Sequence, residues 1–309
     1  MERKIIADLH NHSTASDGEY TPSELVAKAK EIGLEAVALT DHDTLKGLNE
    51  AMLTGEKTGI LVIPGVEVSL GFKRSYFTGT LHLLLYFMPE KLNDDNYVKE
   101  LETILKNGRG EALVKARVEL INNEFGPWGK NPVLNRNMKF DEIASYASNI
   151  SRRHFAQALK EMHGINDKNK INFIIGNNSP AYIPSGIKSD LIRPFIERYS
   201  PLAVLAHPAA GSFPGPGHYS EVLPPVDIIE KIYPEFLDLG IKGIEVFYPA
   251  HTPEYIKLIL HWANRDGLLI TGGSDCHDKN ERPLGTAGIT REEFNRFYAA
   301  LAGLGTRTK

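Results

Sequence analysis

Short apolar runs alternate with amphipathic stretches along the first ninety residues of the chain. Residues 4–7, 36–40, 61–68 and 81–86 are apolar runs typical of buried strands, and residues 69–80 between the last two runs are expected to form a loop. Between the first three runs, residues 22–32 and 48–58 repeat apolar positions at helical spacing. Thr21 and Glu24 form a capping box, and Pro22 occupies the first helical position. This alternation predicts a parallel sheet, open or closed into a barrel.

The same alternation returns after residue 200. Apolar runs at 202–206, 243–247 and 268–272 predict three further strands, with a helix near residues 253–266. The middle of the chain differs, because its helical stretches near residues 93–125, 140–146 and 151–162 contain no alternating strand pattern. We therefore predict a barrel core of residues 1–90 and 190–309 and a mostly helical insertion of residues 91–189. Residues 211–225 are rich in glycine and proline and predict an irregular loop.

Composition narrows the class of protein. The chain has 309 residues, of which 42% are hydrophobic and 24% charged, as in ordinary soluble globular proteins. A net charge of −4 gives no electrostatic reason to expect binding to long nucleic acid. The single cysteine, Cys276, excludes an internal disulfide, and we predict that it is a buried apolar residue. The chain start has no apolar signal core and no run reaches the roughly 18 residues of a membrane span, which predicts a cytoplasmic protein.

Histidines and carboxylates gather at the ends of the predicted strands. Two histidines at positions i and i+2 of a strand, such as His10 and His12, point to the same face. Imidazole nitrogens mixed with carboxylate oxygens are the ligands of Mn, Fe or Zn. Nine candidates are too many for one ion and predict two to three divalent metals. They are His10, His12, Asp17, His42, Glu67, His82, His154, Asp275 and His277.

Seven short segments with histidines or acidic residues follow one another along the chain. They are Asp8-Leu9-His10-Asn11-His12, Leu39-Thr40-Asp41-His42-Asp43, Pro64-Gly65-Val66-Glu67, Arg152-Arg153-His154-Phe155-Ala156, Ala206-His207-Pro208, Gly243-Ile244-Glu245-Val246 and Gly273-Ser274-Asp275-Cys276-His277. In this order they resemble the PHP (polymerase and histidinol phosphatase) family, in particular its nucleotide-phosphatase-like branch. The resemblance implies a distorted (β/α)7 barrel with a trinuclear metal site at its C-terminal face. It also implies how the ligands divide: His10, His12, Glu67 and Asp275 for one metal, Asp17, His42 and His277 for a second, and Glu67, His82 and His154 for a third.

A metal centre of this kind predicts phosphoester hydrolysis. Two ions can share a hydroxide, lower its pKa and direct it at phosphorus. Arg152 is predicted to pair with the phosphate, and His207 to contact phosphate or to protonate the leaving oxygen. His251 and Tyr248 follow another strand and are expected to line the substrate pocket, where Tyr248 or Phe247 would stack on a base. Three carboxylates beside the ligands are expected to orient metal-bound imidazoles: Asp8, Asp41 and Asp43.

The leading hypothesis is hydrolysis of a phosphomonoester of a small nucleotide, either a nucleoside monophosphate or a 3′,5′-bisphosphate. The expected partner is therefore a small phosphorylated substrate. A 5′-3′ exonuclease acting on short RNA or DNA ends, a histidinol-phosphate phosphatase and a metal-dependent C–N hydrolase remain alternatives. A non-enzymatic scaffold module of the same family would lack ligands, whereas every expected ligand position is filled here.

Overall fold

Seven strands form one sheet in the order of the chain. The computed structural model describes residues 3–108, 110–147, 150–215, 223–280 and 282–305. The pairs β1–β2, β2–β3, β5–β6 and β6–β7 are parallel, whereas β3–β4 and β4–β5 are antiparallel. The sheet is therefore mixed, and the prediction of a wholly parallel sheet was wrong at β4. The strands are β1 (Ala7–Asp8), β2 (Ala36–Leu39), β3 (Leu61–Arg74), β4 (Phe77–Tyr86), β5 (Leu202–Leu205), β6 (Gly243–Phe247) and β7 (Leu269–Gly272).

The antiparallel pair β3–β4 includes most of residues 69–80. The expected loop at these positions is therefore a β-hairpin. Only Ser75 and Tyr76 connect the two strands, and a connection this short forces the chain to reverse its direction. In the resulting register Ser69 lies opposite His82, while Glu67 lies opposite Leu84. Residues that lie opposite each other share a face of the sheet, so Glu67 and His82 project to the same side.

Residues beyond β1 and β7 close the sheet into a distorted (β/α)7 barrel, as predicted. The Leu9 N–H donates to the Gly272 carbonyl at 3.1 Å, and the Asp275 N–H donates to the His10 carbonyl at 2.8 Å. We call these contacts between residues 8–12 and 272–277 the barrel seam. A Cβ on Gly273 would lie 2.4 Å from the His10 backbone nitrogen, so the approach requires glycine at this position.

Helices surround the barrel, and several begin where the sequence predicted. Thr21 accepts the Glu24 N–H and Glu24 accepts the Thr21 N–H, which confirms the capping box. Two short 3₁₀ helices cover Pro89–Asn93 and Ala210–Ser212. The helices in the described residues are α1 (Pro22–Glu31), α2 (Leu48–Thr58), α3 (Asp95–Lys106), α4 (Glu111–Phe125), α5 (Phe140–Ala144), α6 (Arg152–Glu161), α7 (Lys168–Ile175), α8 (Ser189–Tyr199), α9 (Val226–Leu239), α10 (Pro253–Asp266) and α11 (Arg291–Gly305).

The insertion has a hydrophobic core of its own. Side chains such as Phe125 of α4 and Phe155 of α6 pack together in this separate cluster. In contrast, Tyr97 and Leu101 of α3 pack into the main core around the barrel. The domain boundaries at residues 91 and 189 stay a prediction. Ile187 returns the chain to the barrel, because its N–H donates to the Ser69 carbonyl at 2.9 Å.

The barrel interior is filled below the face that carries the candidate ligands. Leu9, Ile63 and Leu84 point into it, and Phe297 of α11 packs against the same cluster. The candidate ligands therefore stand on a packed apolar layer rather than over an open channel. Across the described stretches of chain, no helix combines the length and the apolar composition that crossing a bilayer would demand.

Candidate metal centre

The structure brings eight of the nine predicted ligands into three overlapping groups. Within each group the candidate ligand atoms lie within 4.8 Å of one another. Parallel strands deliver their C-terminal ends to one face of the barrel, which explains why residues so distant in sequence meet. The eight residues are His10, His12, Asp17, His42, Glu67, His82, Asp275 and His277.

The first group contains His10, His12, Glu67 and Asp275, the set that the family resemblance implied for one metal. The Nε2 atoms of His10 and His12 lie 3.2 and 3.1 Å from Glu67 Oε2. The same two nitrogens lie 3.5 and 3.1 Å from Asp275 Oδ1. Two imidazole nitrogens and two carboxylate oxygens therefore converge on one point.

The second group contains Asp17, His42 and His277, as implied, and adds His12. His277 Nε2 lies 3.3 Å from Asp17 Oδ1. On the other side of the ring, Nδ1 lies 2.9 Å from the Asp275 carbonyl oxygen and 3.1 Å from Arg282 NH2, so Nε2 is the nitrogen that faces the group. The rings of His12 and His277 stack with centroids 4.0 Å apart, which places His12 between the first two groups.

The third group consists of His42, Glu67 and His82. His42 Nδ1 lies 3.0 Å from Glu67 Oε2, and His82 Nδ1 lies 3.1 Å from Glu67 Oε1. The structure does not bring His154 into any of these groups. Instead, His154 Nδ1 accepts the Ser151 N–H at 2.9 Å in the N-terminal capping box of α6. The third group thus has His42 in the place that the family resemblance implied for His154.

Carboxylates and imidazoles in this buried centre shift one another's pKa values. Burial opposes charge on Glu67, but the neighbouring imidazoles of His82, His42 and His10 outweigh it and hold the Glu67 pKa well below its usual value. Burial likewise favours a neutral His12, but Asp275 and Glu67 raise its pKa to about 9. At neutral pH the centre therefore contains a charged Glu67 carboxylate beside a protonated His12.

Buried ligand atoms without hydrogen-bond partners indicate that the centre is built for cations. Leaving such atoms unpaired is costly, and a divalent ion bound between them would supply the missing interaction. Mixed nitrogen and oxygen donors suit Mn, Fe or Zn. Among the described residues, atoms of this kind include His10 Nε2, His12 Nδ1 and Nε2, Asp17 Oδ1, Glu67 Oε2 and Asp275 Oδ1.

The two residues predicted to contact phosphate lie in different surroundings. His207 stands at the cluster, with Nε2 at 3.1 Å from Glu67 Oε1 and 3.2 Å from His82 Nδ1. Arg152 begins α6 in the insertion, where NH2 donates to Asn177 Oδ1 at 2.5 Å and the guanidinium lies over the Tyr182 ring. The phosphate-binding role of Arg152 stays a prediction.

Two predicted pocket residues have partners inside the protein. His251 Nδ1 donates to the Val246 carbonyl at 2.9 Å, and its Nε2 accepts the Ala209 N–H at 3.2 Å. Both ring nitrogens of His251 are therefore engaged inside the protein, and its contact with substrate stays a prediction. The buried Tyr248 hydroxyl donates to Asp275 Oδ2 at 2.7 Å, so Tyr248 orients a candidate ligand.

Two charged residues that were not predicted to take part touch the candidate ligands. Both oxygens of Glu245 lie 3.2 Å from His10 Nδ1, and Arg282 NH1 donates to Asp275 Oδ2 at 2.5 Å. A carboxylate within the apolar strand β6 was the available signal for Glu245. Arg282 follows His277 by five positions in a loop, and no sequence pattern pointed to it.

The acidic residues predicted to orient imidazoles mainly accept hydrogen bonds from neighbouring segments of the chain. Asp8 accepts the Ser274 hydroxyl at 2.6 Å, and Asp41 accepts the Ser13 hydroxyl at the same distance. Asp43 accepts the Ser69 N–H at 2.8 Å. These carboxylates thus accept from serine hydroxyls and backbone N–H groups, and Glu245 is the carboxylate next to His10 Nδ1. Cys276 is buried, as predicted, and its thiol donates to the Asp278 carbonyl.

Comparisons with known proteins agree with this geometry. The family model of the PHP domain matches residues 8–152. The 3′,5′-nucleoside bisphosphate phosphatase of Chromobacterium violaceum is 31% identical over 89% of this chain and 88% of its own length. A 5′-3′ exoribonuclease of Haemophilus influenzae is 27% identical over 87% of this chain and 89% of its own. A solved structure from Bifidobacterium adolescentis, described as a metal-dependent phosphoesterase, matches with a TM-score of 0.73 at 25% identity, covering 96% of this chain and 97% of that one.

Proposed function

Because the chain belongs to the PHP family of metal-dependent phosphoesterases, we propose that it hydrolyses a phosphomonoester of a small nucleotide, a nucleoside monophosphate or a 3′,5′-bisphosphate. The observation that carries the proposal is the buried cluster of imidazole and carboxylate atoms around Glu67, several of which have no hydrogen-bond partner. A relative named as a nucleoside bisphosphate phosphatase, aligned over most of the chain, supports the choice of substrate.

The residues of the three groups would hold two to three divalent ions, with Mn, Fe and Zn as the candidates. When bound, such ions supply Lewis-acid chemistry that lowers the pKa of water and offsets the charge of phosphate oxygens. His207 stands beside Glu67 and His82, where its imidazole would contact phosphate or give a proton to the leaving oxygen. Arg152 would pair with a phosphate group of the substrate.

A 5′-3′ exonuclease acting on short RNA or DNA is the second candidate function, because a relative of similar length is named as an exoribonuclease. The net charge of −4 favours a small substrate, since binding to a long polymer relies on neutralising many phosphates. We also propose a cytoplasmic location, because one cysteine allows no internal disulfide.

A phosphate-release screen would test the proposed function. Metal-free protein is loaded with Mn²⁺ and offered nucleoside mono- and bisphosphates, sugar phosphates, histidinol phosphate and short oligonucleotides. We expect the highest kcat/KM with a nucleoside mono- or bisphosphate and no release by metal-free protein. Preferred cleavage of oligonucleotides would favour the exonuclease, preferred cleavage of histidinol phosphate would favour that phosphatase, and no cleavage with less than one bound metal per chain would refute the proposal.

A further inference from the structure

The turn that follows α4 presents a tryptophan to solvent. The Trp128 side chain is 96% exposed, whereas Leu53, the next most exposed large hydrophobic side chain among the described residues, is 55% exposed. A tryptophan can bury about 150–250 Å² of surface, so leaving it in water forgoes a large stabilising contribution. Single exposed hydrophobic residues are common on protein surfaces, so the surroundings of Trp128 must decide whether it has a role.

Hydrogen bonds to the end of α4 hold residues 126–131 in place, and we call this segment the Trp128 turn. The Asn131 N–H donates to the Glu124 carbonyl at 2.7 Å, and the Asn131 side-chain amide donates to Glu124 Oε1 at 2.6 Å. A Cβ on Gly129 would lie 2.6 Å from the Glu124 carbonyl oxygen, so the turn packs closely against the helix end. Trp128 is therefore exposed on an ordered support.

A second exposed aromatic side chain lies next to the Trp128 turn. Phe173 of α7 is 51% exposed, and its ring contacts the Phe125 ring with centroids 5.1 Å apart. Phe125 is the last residue of α4, three positions before Trp128, so α7 and the turn are neighbours. Lys170 lies three positions before Phe173, on the same face of α7. We define the aromatic surface by four residues: Trp128, Lys130, Lys170 and Phe173.

Formal charge is distributed unevenly between the insertion and the barrel. Residues 91–189 contain 15 lysines and arginines and 11 acidic residues, which gives a net charge of +4, while the rest of the chain carries −8. Within the part of the chain that the structure describes, the exposed Lys170 pairs with no carboxylate, and Lys130 Nζ lies 3.8 Å from Glu124 Oε2. A locally basic surface attracts anions even when the whole chain is acidic.

We propose that the aromatic surface binds a short single strand of RNA or DNA, a function that goes beyond the proposed hydrolysis of a small nucleotide. The bases of a single strand can stack on exposed aromatic rings, while cationic side chains attract its phosphates. Trp128 and Phe173 would stack on bases, and Lys130 and Lys170 would contact phosphates. Lysine is depleted in protein–protein interfaces, so the lysines beside the rings favour a nucleic acid over a protein partner.

The experiment measures the affinity of the metal-free full chain for a fluorescein-labelled hexa-adenylate by fluorescence anisotropy. A chelator is present, so that binding is measured without cleavage. The variants are Trp128→Ala, Trp128→Phe and Lys170→Gln. Tyr76→Ala and Lys57→Gln are the matched controls, because Tyr76 is 43% exposed between β3 and β4 and Lys57 is exposed on α2. Tryptophan emission gives a second readout, since the other tryptophan of the chain, Trp262, is buried.

Trp128→Ala should weaken hexa-adenylate binding by about 5–150-fold, the loss expected for one stacked base. Trp128→Phe should recover most of this loss, because the variant keeps an aromatic ring. Lys170→Gln should reduce the slope of log affinity against log salt concentration by about 0.7, which corresponds to one phosphate contact. Binding should quench the Trp128 emission, and both controls should bind as the wild type does. Every variant should melt within about 2 °C of the wild type, because the substituted residues are exposed.

Three outcomes would overturn the inference. The first is an unchanged anisotropy with up to about 100 μM wild-type protein at low salt. The second is equal affinity of Trp128→Ala and the wild type, and the third is equal binding of a blunt-ended DNA duplex, whose bases are not free to stack. Self-association that Trp128→Ala abolishes, without any oligonucleotide binding, would instead make this surface an interface between copies of the chain.

This test is independent of the proposed function. Binding is measured without metal, so an inactive wild type would refute the proposed phosphoester hydrolysis and leave the binding result intact. Conversely, a wild type that hydrolyses nucleotides but binds no hexa-adenylate would refute only the role of the aromatic surface.

Discussion

Replacing Arg282 by methionine should destabilise the metal-free protein at neutral pH. Arg282 NH1 donates to Asp275 Oδ2 at 2.5 Å, and both side chains are only 8% exposed. Removing one partner of a buried ion pair typically costs about 3–5 kcal/mol, because the other charge remains buried. The imidazoles of His10 and His12 still neighbour Asp275 Oδ1, so the lower end, about 3 kcal/mol, is expected.

The pH dependence of this loss follows from the pKa of Asp275. Burial opposes its charge, but Arg282 first, and then His277 and His10, hold the pKa well below the usual value. A carboxylate with a lowered folded-state pKa contributes stability above its unfolded value of about 3.9, and this contribution is lost as the pH falls through the folded value. The difference between Arg282→Met and the wild type should therefore be full at pH 7 and shrink in strong acid.

Thermal unfolding measures the effect. With about 2–4 °C per kcal/mol for chains somewhat shorter than this one, Arg282→Met should lower Tm by about 6–12 °C. Arg265→Met is the matched control, since Arg265 is 50% exposed beside Asp266 and exposed pairs contribute at most about 1 kcal/mol. If both variants melt within about 2 °C of the wild type, the Arg282–Asp275 pair does not stabilise the centre as we infer.

His12→Ala should abolish phosphate release, because His12 belongs to two of the three ligand groups, while the protein should still unfold cooperatively. Unchanged turnover would rule out the first group as a catalytic metal site. Tyr248→Phe removes the hydroxyl that donates to Asp275 and should weaken Mn²⁺ binding by about 10-fold in a titration. If the variant and the wild type bind Mn²⁺ equally well, Arg282 alone is enough to orient the Asp275 carboxylate. Mn²⁺ affinity should rise from pH 6 toward pH 9. The neighbouring carboxylates raise the His12 pKa to about 9, and below that pH Mn²⁺ must displace the proton on the His12 ring. An affinity that does not change with pH would contradict this charge assignment.

Local chemistry explains why much of the fold was predictable. The start of α1 depends on residues within one turn, so Thr21, Pro22 and Glu24 were sufficient to locate it. The candidate ligands were predictable because most of them lie in an apolar run or shortly after one, and α/β folds gather such positions at one face. His82 was placed correctly although its strand runs the opposite way, since its side chain shares a face with Glu67.

Features that depend on contacts between residues far apart in the sequence could not be predicted from the sequence. The hairpin of β3 and β4 was described partly as a loop because Gly71 and Gly79 interrupt its apolar pattern. Arg282 became recognisable only when the fold placed it beside Asp275. The N-terminal cap of α6 engages His154 Nδ1, a contact that the motif did not indicate, and the role of His154 as a ligand stays a prediction.

The barrel seam joins parts of the chain that are made far apart in time. The Ser274 hydroxyl donates to Asp8 across the seam at 2.6 Å, although the two residues are 266 positions apart. During synthesis, β1 with His10 and His12 leaves the ribosome long before β7 and Asp275 exist. Contacts of such separation carry the largest loop-closure cost and tend to form late. A nascent chain therefore has an unpaired strand edge and an incomplete ligand set. The barrel closes and the ligand set is completed at the same stage, near the end of synthesis.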